Sequence, residues 1–78
     1  DVAAALHNLA QLHQAQGRYA EAEPLYRRSL MILESALGLE HPYVVAVLQN
    51  TAKRFREMGN GEEAQNLEAR ADRARSRW

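Results

Sequence analysis

The chain has 78 residues and a mass of 8.8 kDa, the size of one small domain. It contains no cysteine, which excludes disulfide bonds and thiolate metal sites. Ten basic and ten acidic residues give a formal net charge of zero, which argues against capture of nucleic acid or of a membrane by bulk charge. No apolar run approaches the roughly 18 residues of a membrane span. We therefore expect a cytoplasmic protein with no nucleic acid and no membrane as partner.

The first half of the chain predicts two helices. Apolar residues recur every three or four positions over residues 2–16, and Gly17 then ends the helix. A second amphipathic pattern covers residues 19–37 and ends at Gly38. Pro24 lies within its first two turns, where we expect a slight bend rather than a break.

The second half of the chain predicts two more helices. Residues 38–42 form a connection that closes with Pro42, a residue suited to the first turn of a helix. The third helix is expected over residues 43–58 and the fourth over residues 62–76. Since the turns are short, all four helices are predicted to run antiparallel to their neighbours.

The sequence repeats itself after 42 residues without a gap. The matched pairs include Val2/Val44, Leu6/Leu48, Asn8/Asn50, Gly17/Gly59, Ala22/Ala64 and Leu25/Leu67. Within the first hairpin, the small Ala10 and Ala22 are expected to let the two helices approach closely. The larger side chains expected to fill the core around that contact are Leu6, Leu9, Leu25 and Tyr26. A helical hairpin of this length cannot bury both of its faces alone, whereas stacked hairpins build a continuous core. We therefore predict one repeat over residues 1–42 and a second over residues 43–78.

Three segments of the first repeat carry a family signature. They are Leu-His-Asn-Leu-Ala at residues 6–10, the run from Gly17 to Leu30, and Leu-Gly-Leu-Glu-His-Pro at residues 37–42. Together they resemble a tetratricopeptide repeat, in particular the 42-residue variety of kinesin light chains and many bacterial proteins. The resemblance implies an all-α, right-handed α-solenoid of two helix-turn-helix hairpins. It also implies a non-enzymatic role in protein–protein interaction.

The second repeat departs from this pattern at four positions. Thr51, Gly61, Asn66 and Glu68 stand where the family has leucine, tyrosine, proline and tyrosine. We expect these changes to make the outer side of the last helix polar, as a terminal capping helix requires. Because the chain also begins with Asp1 rather than methionine, we expect it to be the C-terminal end of a longer repeat scaffold protein.

The resemblance implies a concave groove, lined by the first and third helices, that binds either a short extended peptide segment or a partner helix. In the family, the asparagine that matches Asn8 and Asn50 bonds to the backbone of a bound peptide. By helical spacing, the other predicted groove residues are His7, Gln11, Gln14, Gln49, Lys53 and Arg56. Lys53 and Arg56 favour an acidic segment as ligand. One alternative stays open: the two asparagines bond only to a neighbouring helix.

No motif predicts catalysis, a metal or a cofactor. The chain has no Gly-rich phosphate loop, no nucleophile elbow and no paired carboxylates at a useful spacing. His7 and His13 are six residues apart and do not share a helix face, and His41 lies in the connection. We therefore expect no enzymatic activity.

Self-association is the competing functional hypothesis. Repeat arrays usually need about three repeats for stability, and this chain has fewer than two full ones. The first hairpin is expected to expose an apolar face around Val2, Leu12 and Tyr19. Two copies could cover that face by pairing or by exchanging hairpins, which would make the protein a homo-oligomer.

Overall fold

A computed structural model describes all of residues 1–78 and contains four α-helices and no strand. The helices are α1 (Val2–Ala15), α2 (Tyr19–Leu37), α3 (Pro42–Glu57) and α4 (Gly61–Arg75). Each lies within one residue of its predicted bounds, and α2 runs unbroken through Pro24. The chain divides into two compact units, Asp1–Ala36 and Leu37–Trp78. The prediction of an all-α fold built from two helical hairpins is confirmed.

The two interhelical turns within the hairpins have the same geometry. Gly17 and Gly59 have φ angles of +76° and +83°, a left-handed conformation that side chains with a Cβ rarely adopt. The residue after each glycine donates its N–H to a carbonyl five residues back in the helix. The bonds are Arg18 N to His13 O and Asn60 N to Phe55 O, both 2.8 Å long. Both turns are therefore Schellman-type helix ends, placed 42 residues apart.

Side chains cap three of the four helix N-termini. Asp1 Oδ1 accepts a hydrogen bond from the N–H of Ala3 at 2.9 Å, and Asn60 caps α4 in the same manner. His41 caps α3, because its Nδ1 accepts the N–H of Tyr43 at 3.1 Å. His41 therefore has a structural role at the start of α3.

Two hydrogen bonds join the antiparallel helices of the first hairpin. The Tyr26 hydroxyl of α2 donates to Gln14 Oε1 near the end of α1, at 2.6 Å. The Ser29 hydroxyl, one turn further along α2, donates to the carbonyl oxygen of Ala3 at the start of α1, at 2.8 Å. Tyr26 and Ser29 are both buried, and each hydroxyl is satisfied by a hydrogen bond.

Alanines are fully buried at equivalent positions in both hairpins. They are Ala10 and Ala22 in the first hairpin and Ala52 and Ala64 in the second. Small side chains at these positions allow two helices to approach closely, as the sequence predicted.

The buried face of α3 includes a polar residue. Val44, Leu48 and Phe55 are buried, and Thr51 lies among them with no exposed surface. Its hydroxyl has no hydrogen-bond partner. The expectation that Thr51 adds polarity to the outer side of the last helix is therefore wrong: the residue belongs to α3 and faces the interior.

Candidate protein-binding surface

Asn8 and Asn50 occupy equivalent exposed positions on α1 and α3. At about 100° per residue, Asn8 lies about 150° around α1 from the buried Ala3 and Ala10. Asn50 lies at a similar angle from the buried Leu48 on α3. Neither side-chain amide makes a hydrogen bond within the chain. The alternative was that these amides bond only to a neighbouring helix. The structure contains no such hydrogen bond.

Each asparagine has a small residue one turn before it and a polar residue three positions after it. We call these two sets the amide faces. They consist of Ala4, Asn8 and Gln11 on α1, and of Ala46, Asn50 and Lys53 on α3. The alanine leaves space beside each amide, so a ligand backbone could approach either one. Lys53 is exposed, as is Gln49 at the edge of the α3 face.

His7 and Gln14 lie closer to the buried side of α1 than to Asn8. Both are half-buried. The His7 ring meets the Tyr26 ring edge-on, with ring centroids 5.2 Å apart and an interplanar angle of 72°. Gln14 accepts the Tyr26 hydroxyl proton. These two predicted groove residues therefore help to join α1 to α2 within the first hairpin.

Arg56 is paired with a carboxylate of its own hairpin. Its Nε donates to Glu68 Oε2 at 3.2 Å, and its Nη2 donates to the other oxygen, which makes the pair bidentate. The hydrogen bond and the opposite charge lower the pKa of Glu68 and raise the pKa of Arg56. Among the predicted groove residues, Lys53 is therefore the cation whose charge is not already paired.

Comparison with known families identifies the chain. The sequence profile of the tetratricopeptide repeat matches residues 1–75. The chain belongs to the tetratricopeptide repeat family. Members of this family generally serve as non-catalytic modules that bind protein partners. Neither the curated proteins nor the solved structures gave a match.

This tetratricopeptide repeat domain also exposes apolar side chains along α1. Val2 is 64% exposed, Leu12 53% and Tyr19, at the start of α2, 41%. Sequence analysis predicted these three residues on an exposed face but placed Leu9 in the hairpin core. Leu9 is 42% exposed and belongs to the same surface. The apolar pattern alone held no signal for this, because core and surface apolar residues share one helical spacing.

One further surface feature lies outside the amide faces. A shallow depression on α2 is lined by Arg28, Met31, Ile32, Ser35 and Ala36.

No three His, Asp or Glu side chains come close enough together to hold a metal ion. In addition, none of the helices combines the length and apolar character needed to cross a membrane. The cytoplasmic location stays a prediction.

Proposed function

We propose that this domain binds an extended segment of a partner protein along the amide faces of α1 and α3, and that it performs no chemistry. One observation carries the proposal: Asn8 and Asn50 are exposed, unpaired and 42 residues apart in equivalent positions. Each amide offers both a donor and an acceptor, which matches the N–H and C=O groups of any extended backbone. Either amide can therefore bond to a ligand backbone without selecting the ligand's sequence.

The preferred segment is acidic. Lys53 adds a positive charge three residues after Asn50, and the charge is not used in an ion pair. Arg56 contributes less than the sequence suggested, since its charge is balanced by Glu68. One unpaired lysine supports a modest preference for acidic over basic ligands.

We infer that the repeat is of the 42-residue, kinesin-light-chain-like variety, with repeats over residues 1–42 and 43–78. The equivalent turns at Gly17 and Gly59 support this period. We also infer that α4 is the capping helix of the second repeat. Six of its seven exposed residues are polar, and Ala69 is the exception. A polar outer face is what a capping helix needs.

The experiment begins with a peptide selected from a random peptide display library against the domain. Calorimetric titration then compares the wild type with the Asn8→Ala/Asn50→Ala double variant. We expect the affinity to fall at least about tenfold when two backbone-directed amides are lost. The matched control is Gln65→Ala/Asn66→Ala, which removes two exposed amides from α4. Equal affinity in all three proteins, with equal helicity by circular dichroism, would remove the groove proposal.

Charge is tested separately. The Lys53→Glu variant is expected to weaken an acidic ligand by a factor of about three to five, because a surface charge pair is worth at most about 1 kcal/mol. Arg18→Glu serves as a control that reverses an exposed charge outside the amide faces. An acidic peptide that binds both variants equally well would contradict the acidic preference.

A second candidate function is self-association, and the exposed apolar surface of α1 favours it. Monomeric proteins rarely leave several large apolar side chains uncovered on one face. Light scattering over a range of protein concentrations tests this function. A mass that stays at one chain throughout would eliminate it and leave the groove proposal standing.

A further inference from the structure

We propose that Glu68 sets the charge preference of the α3 amide face, because its carboxylate holds the Arg56 guanidinium that an acidic ligand would otherwise bind. This inference rests on the groove function proposed above and names the residue that determines its specificity. Glu68 lies on α4, outside both amide faces. The preference of the groove is therefore set by a residue of the helix that does not line it.

The ion pair has the geometry of a ligand contact. Arg56 Nε donates to Glu68 Oε2 at 3.2 Å, and Nη2 of the same guanidinium donates to Oε1. Arginine makes this planar, bidentate contact with carboxylates in general. Glu68 therefore presents to Arg56 the same chemical group that an aspartate or a glutamate of a ligand would present.

Arg56 lies within reach of a segment bound to the α3 amide face. It follows Lys53 by three positions, so the two cations lie on neighbouring turns of α3. The side chains of Arg56 and Glu68 are 48% and 43% exposed, so a ligand can approach the pair from solvent. An acidic ligand that contacts Lys53 therefore also meets the negative charge of Glu68.

The charges at the end of α3 show what Glu68 changes. The last five residues of α3 include Lys53, Arg54, Arg56 and Glu57, and Glu68 joins them through its bonds to Arg56. Three positive and two negative charges leave a net charge of +1. Glu57 pairs with Arg54 at 3.3 Å. With both carboxylates paired to arginines, the charge of Lys53 is the one that a ligand meets unpaired, and removing the charge of Glu68 would add that of Arg56.

The first repeat shows that a bridge at this position needs no charge. The equivalent residues Gln14 and Tyr26 join α1 to α2 by a neutral hydrogen bond. An exposed ion pair such as that of Arg56 and Glu68 also adds little to stability. The main effect of the charged pair is therefore on the charge that the surface offers to a ligand.

Calorimetric titration with two matched peptides tests the inference. Both contain the display-selected sequence; the acidic probe carries three glutamates at each end, and the neutral probe carries three glutamines at each end. Glu68→Gln removes the charge but keeps an oxygen that can accept the Arg56 N–H. It is expected to tighten binding of the acidic probe about three- to fivefold and to leave the neutral probe unchanged. An acidic probe that binds Glu68→Gln no better than the wild type would overturn the inference.

Two further variants show whether the effect passes through Arg56. Glu62→Gln removes the same charge from an exposed glutamate of α4 that makes no ion pair. It is expected to change the affinity for the acidic probe by less than about twofold. The double variant Arg56→Gln/Glu68→Gln replaces the ion pair by a neutral pair and is expected to bind the acidic probe like the wild type. A gain that Glu62→Gln shares in full, or that persists in the double variant, would also overturn the inference.

The neutral probe separates this inference from the function on which it rests. If Asn8→Ala/Asn50→Ala binds the neutral probe as tightly as the wild type, the groove proposal and this inference both fail. If that variant loses affinity while Glu68→Gln leaves the acidic probe unchanged, the groove proposal stands and this inference alone fails. The gain caused by Glu68→Gln should shrink at high salt, because exposed charges are screened. A gain that is insensitive to salt would contradict an effect of charge and overturn the inference.

Discussion

The two hairpins join their helices at equivalent positions with different chemistry. In the first hairpin the buried Tyr26 hydroxyl donates to Gln14. In the second hairpin the residues 42 positions later are Glu68 and Arg56, and these form a bidentate ion pair at the surface. The repeat therefore conserves the position of an interhelical bridge while it exchanges a neutral buried bond for an exposed, charged one.

Equivalent positions also differ in burial. Val2 is 64% exposed while Val44 is fully buried, and Leu9 is 42% exposed while Thr51 is fully buried. In the second pair the more polar residue is the buried one. The comparison shows that a position within the repeat specifies a helix and its turn but does not specify the environment of the side chain.

The largest expected effect comes from Phe55, which we compare with His13, the residue at the equivalent position of the first hairpin. Phe55 is fully buried and His13 is half-buried. Phe55→Ala should lower the free energy of unfolding by about 3–5 kcal/mol, because it leaves a cavity in the core. His13→Ala should cost less than about 1 kcal/mol. Urea denaturation followed by circular dichroism measures both, and equal costs would contradict the burial difference.

The next largest effect tests the turns within the two hairpins, which have the same geometry. Gly17→Ala and Gly59→Ala should each cost about 1–2 kcal/mol, since each places a Cβ in a left-handed conformation. Gly61→Ala is the control: Gly61 begins α4 with ordinary φ and has open space around its Cα. That variant should keep or gain stability. A clear difference between the two turn variants in thermal denaturation would show that the turns are not equivalent.

A smaller effect comes from the buried hydroxyl of Thr51. Thr51→Val replaces an unpaired polar group by a methyl group of similar size and should stabilise the domain by about 1 kcal/mol. Thr51→Ser keeps the hydroxyl and should give no gain. A valine variant no more stable than the wild type in urea denaturation would mean that the hydroxyl is satisfied in solution.

The two interhelical bridges should differ in their response to salt. Tyr26→Phe should cost about 1 kcal/mol at any ionic strength, because it removes a neutral buried hydrogen bond. Glu68→Gln should have a smaller effect that fades as salt is added, since the pair is exposed. Urea denaturation at low and high salt distinguishes the two.

The bridges should also differ in their response to pH. Because Arg56 lowers the pKa of Glu68 in the folded state, the contribution of this pair is complete above the ordinary glutamate pKa of about 4.3. This contribution to stability is lost as the pH falls through the folded-state pKa of Glu68, which lies below the ordinary value. The stability difference between the wild type and Glu68→Gln should therefore vanish in acid, whereas the difference caused by Tyr26→Phe should persist. A Glu68→Gln difference that is unchanged in acid would contradict the ion pair.

Much of the candidate site followed from the sequence, and part of it did not. The 42-residue spacing predicted that Asn8 and Asn50 are equivalent, and both are exposed. Helical spacing also included Gln14 and Arg56 in the groove, although each bonds to the second helix of its own hairpin. Helical spacing gives only the angle of a residue around its helix, and a side chain at the edge of a face can contact either solvent or the neighbouring helix. Which of the two it contacts depends on the side chains that the other helix of the hairpin offers.

The sequence by itself determined the four helices, their caps and their turns, because these depend on residues within about five positions of one another. Only the tertiary structure decided that Thr51 is buried, that Leu9 is exposed and that the charge of Arg56 is balanced. These outcomes depend on residues far apart in the chain: Arg56 and Glu68 are separated by 12 positions, and Ser29 and Ala3 by 26. Local patterns fix the backbone, whereas burial and pairing depend on which side chains the folded hairpins bring together.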